Sequence, residues 1–112
     1  MRNLNRLCVI GRLSKDLDVK NVGELVIATG SIAVNDKVGE KEEVTYINFK
    51  AFGKLAELMG LYMQKGSKVY LEGKLKNNNY DKKDGSGKVY GYELIVDDFL
   101  LLDKKESENK EA

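Results

Sequence analysis

Between residues 46 and 52 the chain reads Tyr46-Ile47-Asn48-Phe49-Lys50-Ala51-Phe52. On an extended strand successive side chains leave on opposite faces. One face then carries Tyr46, Asn48, Lys50 and Phe52, and the other Ile47, Phe49 and Ala51. The second set is an ordinary core face. Burying the first would leave the Lys50 ammonium and the Asn48 amide without evident partners, so that face is expected at the surface. There, two rings flanking a cation and an amide offer a specific chemistry. Unpaired bases stack on flat aromatic surfaces while phosphates pair with positive charge, which is what a single nucleic-acid strand requires. In the opposite register Tyr46 and Phe52 would be core residues, but Ile47, Phe49 and Ala51 compete better for that place.

Further cations suited to phosphate are Arg6, Arg12, Lys15, Lys54, Lys74, Lys76, Lys82 and Lys83. Each taken alone is an ordinary solvated charge; Lys50, Lys74 and Lys76 gain weight by sharing faces with rings. Tyr70 lies on the polar face of Lys74 and Lys76, where a subunit interface and a nucleic-acid path are both open to it. Tyr90 and Tyr92 share one face of the last strand region and read as structural.

Catalytic chemistry finds little material. The chain has no histidine and one cysteine, which removes the commonest general base, any intrachain disulfide and an ordinary zinc site. Cys8, inside Leu7-Cys8-Val9-Ile10, is expected to be buried as a small hydrophobe. Residues 81–87 share some composition with a calcium loop but lack its alternating acids and closing Glu. Gly85-Ser86-Gly87-Lys88 is followed by Val89 instead of the Ser or Thr of a phosphate loop. Asp16/Asp18 and Asp97/Asp98 have no third acid grouped with them to hold a nuclease metal. No cofactor is expected, and the chain does not read as an enzyme.

The elements that must position these residues alternate in period. Residues 4–13 read as a strand, 14–23 as a polar turn or irregular link, and 24–35 as a second strand with a bulge or bend at Gly30. Residues 36–43 read as a charged loop and 44–52 as the third strand. Leu55, Leu58, Met59 and Tyr62 then fall at helical spacing, predicting a helix over 53–65 stopped by Gly66. Period two returns over 68–80; 81–87 is a hairpin loop, and 88–102 the last strand region. Strand, strand, strand, helix, strand, strand predicts an all-β, one-helix OB-fold: a five-stranded Greek-key barrel with the helix between strands 3 and 4.

At 112 residues and 42% apolar composition, one domain with a modest core is expected. It spans residues 1–102, followed by a charged, frayed tail over 103–112. Net charge is +1; the tail holds four acids and three lysines, leaving 16 bases and 14 acids elsewhere, so any attraction for nucleic acid must be local. Without an apolar signal region or a membrane-length apolar run, a cytoplasmic location is the default.

Several stretches resemble the bacterial and phage single-stranded DNA-binding proteins. Residues 5–16 are similar to that family's opening strand and turn, and Ile32-Ala33-Val34-Asn35 to the end of its second strand. Phe52-Gly53-Lys54-Leu55-Ala56-Glu57 resembles its strand-to-helix junction, and residues 65–75 its helix stop and fourth strand. The resemblance covers roughly residues 4–102. It implies that Tyr46, Phe52 and Tyr80 stack bases; for Tyr80 the alternative is a cross-strand packing ring. The family's ring after its second strand has no counterpart in Asp36-Lys37-Val38, and the chain has no Trp, so weaker binding per protomer is implied. The resemblance also implies a homo-oligomer, a tetramer before a dimer, with Leu4 and Leu7 open to pairing or core. The resemblance leaves replication and recombination proteins open as partners, but the family's acidic recruiting tip is not matched by Ser107-Glu108-Asn109-Lys110-Glu111-Ala112. So compact a chain has the look of a phage or mobile-element member. The expected function is sequence-independent binding and protection of single-stranded DNA in replication, recombination and repair. The alternatives are an RNA-preferring OB-fold binder and an interaction scaffold that binds no nucleic acid.

Overall fold

A computed structural model describes residues 3–89 and 91–103. Strand β1 (Leu7–Leu13) alternates strictly: Leu7, Val9 and Leu13 turn inward while Cys8, Ile10 and Arg12 are exposed. The pleat thus overrules the expectation for Cys8. Its apolar neighbours occupy the inner positions, and its thiol faces outward.

Strands β2 (Asp18–Val22), β3 (Leu25–Val38) and β4 (Lys41–Phe52) follow, then helix α1 (Gly53–Tyr62), β5 (Lys68–Asn77), a short β6 (Tyr80–Asp81) and β7 (Lys88–Val89), and β8 (Tyr92–Leu101). The main sheet runs β1-β5-β8-β4-β3-β2, and β1 also pairs with β3. That extra pairing, Arg12 opposite Ala33 and Leu13 opposite Ile32, closes β1, β5, β8, β4 and β3 into a five-stranded barrel. Among the described strands only the β4–β8 pair runs parallel. With α1 between the third and fourth barrel strands, this is an OB-fold.

Inside lie Leu13, Ala28, Ile32, Phe49, Ala51, Val69, Leu71, Leu94 and Val96, and α1 closes the barrel with Ala56 and Met59. Gly53, at φ +69°, lets the chain turn from strand into helix without a linker. The helix ends at Tyr62, three residues short of the expected span, where the Met63 N–H donates to Met59 O at 2.9 Å. Tyr62 is exposed, not part of the buried face.

Three other expectations change. The polar stretch 14–23 contains β2, an edge strand paired with β3 along its full length. The charged stretch 36–43 is mostly hairpin, with the pairing of β3 and β4 continuing to Val38 opposite Lys41. Charged side chains are compatible with strands that leave the core and are wetted on both faces. At Gly30 the ladder is unbroken, with Gly30 opposite Phe49. The glycine is there because a Cβ would sit 2.6 Å from the Phe49 ring. The bulge lies instead on β8, where Asp97 is left unpaired between Asp98 opposite Glu72 and Val96 opposite Gly73.

Candidate nucleic-acid interface

The core pull of Ile47, Phe49 and Ala51 sets the register of β4, and the outer face follows from it. Phe49 and Ala51 are buried and Ile47 packs against the core. Tyr46 is consequently 65% exposed and Phe52 41%, with Asn48 exposed and Lys50 half-buried between them. Six residues of strand separate the two rings by about 20 Å. The neighbouring positions on β3 are Ala33, Ser31, Thr29 and Ile27, opposite Tyr46, Asn48, Lys50 and Phe52 in turn. Small side chains beside Tyr46 and Asn48 leave that end of the face open.

Midway along this face lies a shallow cavity of ≈ 280 Å³ lined by Lys15, Thr29, Asn48, Lys50, Asn78 and Glu93, with Gly30 and Phe49 beneath. Lys15 comes from the link between β1 and β2, and Asn78 from the segment after β5. The Lys50 Nζ stands 3.6 Å from Glu93 Oε1, and that carboxylate is nearly covered. Lys50 therefore offsets a negative charge in the groove floor before it can offer one to a phosphate. Register carries the same outer face to β5: Lys50 lies beside Ile95, Ile95 opposite Lys74, and Glu93 opposite Lys76. Lys74 and Lys76 are exposed, so three lysines and Lys15 surround one carboxylate.

Other predicted residues stand apart. Arg6 is bonded to the Glu72 carboxylate. Arg12 lies in one row with Ala33 and Tyr46, but its Nη1 donates to Gly66 O at 2.8 Å and stands 3.4 Å from Asp103 Oδ1. Lys54 is exposed in the first turn of α1, two residues past Phe52. Lys82 and Lys83 occupy the turn of the separate β6–β7 ribbon, whose Asp84 Oδ1 accepts the Ser86 N–H at 2.9 Å. That bond holds the Asp84 carboxyl below its ordinary value. Tyr80 opens the ribbon opposite Val89; Tyr90 and residues 104–112, read as a tail, lie outside the described residues. Asp103, assigned to that tail, is tied to the barrel through the Lys68 N–H at 2.8 Å. Tyr92, read as structural, is exposed at the start of β8.

Tyr70 sits on another patch. It lies opposite Ile10 on β1 and Leu100 on β8, and its hydroxyl donates to Glu72 Oε1 at 2.6 Å. The Cys8 thiol, and after it the Glu72 carboxylate, push the phenol above its ordinary value. Sequence reasoning missed Thr29, Asn78 and Glu93 in the groove, and Lys20 on β2, which register places in one row with Ile27 and Phe52. Lys20 had a signal: Gly23-Glu24 between Val22 and Leu25 is a two-residue hairpin turn.

Residues 4–102 match the model of the single-strand binding protein family. The chain belongs to that family. It is 35% identical over 117 residues to single-stranded DNA-binding protein 1 of Xylella fastidiosa strain 9a5c, covering 98% of this chain and 85% of that protein. It is 36% identical over 107 residues to a single-stranded DNA-binding protein of Neisseria meningitidis serogroup A, covering 89% of this chain and 60% of that protein. It is 36% identical over 109 residues to single-stranded DNA-binding protein 1 of Staphylococcus aureus strain Mu50, covering 93% of this chain and 69% of that protein. The family match contains the whole outer face of β4 and both rings on it.

Proposed function

We propose that this chain binds single-stranded DNA without sequence preference and shields it during replication, recombination and repair. The observation that carries the reading is the outer face of β4. Two exposed rings and an amide and lysine between them stand on a rigid barrel strand, in a member of the single-strand binding protein family. Bases stack on Tyr46 and Phe52, and phosphates meet Lys15, Lys74, Lys76 and Lys54, with Lys50 balancing Glu93. Tyr80, Lys82 and Lys83 extend the path on the strength of the sequence alone, and Arg6 and Arg12 contribute only by leaving their present partners. The binding unit is residues 1–102. Binding needs no catalytic step or cofactor. Among the described residues no group of three or more His, Cys, Asp or Glu is placed to hold a metal. No described helix is long and apolar enough to cross a membrane; a cytoplasmic site of action, like a phage origin, rests on the sequence reading.

The working unit is a homo-oligomer, with the tetramer favoured by resemblance. Ile10 and Leu100 are more than half exposed and flank Tyr70 in one row across β1, β5 and β8. Next to them β1 splays from β3 beyond the Arg12–Ala33 pair. An apolar row beside an unpaired strand edge suits a second copy. Sedimentation should show an assembly that Ile10→Lys reduces to smaller species; a wild-type monomer at micromolar concentration would overturn this.

Titration of labelled oligo-dT, with a duplex of equal length as control, tests the binding itself. Tight, salt-weakened binding to the single strand only is expected, because a duplex hides base faces in its stack. Competition with RNA of equal length decides between the nucleic acids. Absence of single-strand binding by folded protein at low salt would sink the reading.

A further inference from the structure

The outer face that carries Tyr46 and Phe52 does not stop at β4. Directly opposite residues of paired strands share a face. Phe52 faces Ile27 on β3, and Ile27 faces Lys20 on β2. The next pair outward is Leu25 opposite Val22. The inner side of the same segment is occupied: Ala28 is buried, Val26 packs against the core, and a Cβ on Gly60 of α1 would meet Val19 at 3.2 Å. The outer side is open, with Val22 and Leu25 exposed and the Lys20 side chain 72% exposed. Beyond Phe52, therefore, lies an apolar shelf of Ile27, Leu25 and Val22 bordered by one lysine. It is two strand spacings, about 10 Å, from the ring to Lys20.

We propose that a single DNA strand leaving Phe52 continues over β3 onto β2, its next base resting on the Ile27–Leu25–Val22 shelf and its phosphate on Lys20. This rests on the binding reading above and extends its path. The occupant follows from continuity with the ring-bearing face and from charge. A base offers an apolar surface to the shelf, and the following phosphate offers an anion to the only cation on β2. The Lys20 Nζ is held 3.6 Å from Asp18 Oδ2. Both groups are exposed, a setting in which ion pairs are weak, so a phosphate replaces the carboxylate without burying it. Asp18, in the row of Thr29 and Lys50, acts as a brake on this end of the path.

The test is equilibrium binding of oligo-dT of increasing length by wild type, Lys20→Ala, Lys20→Arg, Asp18→Asn and Tyr46→Ala, each at several salt concentrations. The shortest oligomers that bind should not distinguish Lys20→Ala from wild type. Longer ones should bind it about 3–10-fold more weakly, with the salt slope reduced by about 0.7, the loss of one phosphate contact to a single strand. Lys20→Arg should restore both, and Asp18→Asn should tighten binding. If Tyr46→Ala weakens binding while Lys20→Ala leaves every length and slope unchanged, the path ends at Phe52 and the inference falls alone. If Lys20→Ala changes the sedimentation of the free protein, the shelf serves a second copy and the inference is overturned. If wild type binds no oligomer, it falls together with the binding reading.

Discussion

At the scale of single residues, exposure decides what each ring does. Tyr46 gives up little packing to stand out, so Tyr46→Ala should leave stability nearly unchanged. It should lose about 1–3 kcal/mol of binding, one to two orders of magnitude in affinity. Oligo-dT titration beside a thermal melt checks both halves; a large fall in melting temperature would return Tyr46 to the packing role. Tyr70 makes the opposite case, a ring held by polar neighbours. Its raised value, set first by the Cys8 thiol and then by Glu72, means that these contacts stabilise the fold fully below about pH 10, where an unfolded tyrosine still carries its proton, and that this is lost as pH rises through the folded value. An alkaline absorbance titration should show a tyrosine that resists ionisation until the barrel opens, and Tyr70→Phe should remove that step. Ionisation of all the tyrosines together would contradict it. Tyr46, Asn48, Lys50 and Phe52 were legible because one strand's alternation settles which side each takes. Glu93 was not, because it reaches Lys50 through a parallel pairing of strands more than forty residues apart in sequence. Cys8 misled because an apolar run in sequence need not be apolar on both faces of a strand.

At the scale of elements, the barrel depends on close backbone approach where strands bend. Facing the β8 bulge, a Cβ on Gly73 of β5 would lie 1.8 Å from Ile95 O. That neighbour is backbone, so it has little freedom to yield. Gly73→Ala should cost at least about 3 kcal/mol of stability, read by denaturant unfolding, while an exposed change such as Lys74→Ala should cost less than about 0.5. Equal stability of the two variants would mean that the bulge shifts freely. The helix between the third and fourth barrel strands could be read from the change of period at residue 53. The edge strand β2 and the outer ends of β3 and β4 within 36–43 could not. Both are polar, and they are strands because a neighbour pairs with them, not because of their own apolar pattern. The polar composition of 14–23 concealed β2, and with it the shelf beyond Phe52.

For the molecule as a whole, a net charge of +1 gives no long-range pull, so binding must come from the local face. The slope of log K against log salt should then correspond to a handful of contacts, at about 0.7 for each phosphate on a single strand. A much steeper slope would require cations beyond those on the outer face. The barrel separates its two proposed uses, with rings and lysines around β4 and the apolar row of Ile10, Tyr70 and Leu100 across β1, β5 and β8. Self-association and strand binding should therefore be separable by mutation. The central claim is that the outer face of β4 holds the strand by its rings, and its most direct test is one comparison. Oligo-dT affinity is measured for wild type and for Tyr46→Ala/Phe52→Ala at the same salt, with the fold of both checked by circular dichroism. Two lost stacks predict a fall of about two to four orders of magnitude in affinity with the fold intact. A folded double variant that binds as tightly as wild type would contradict the account.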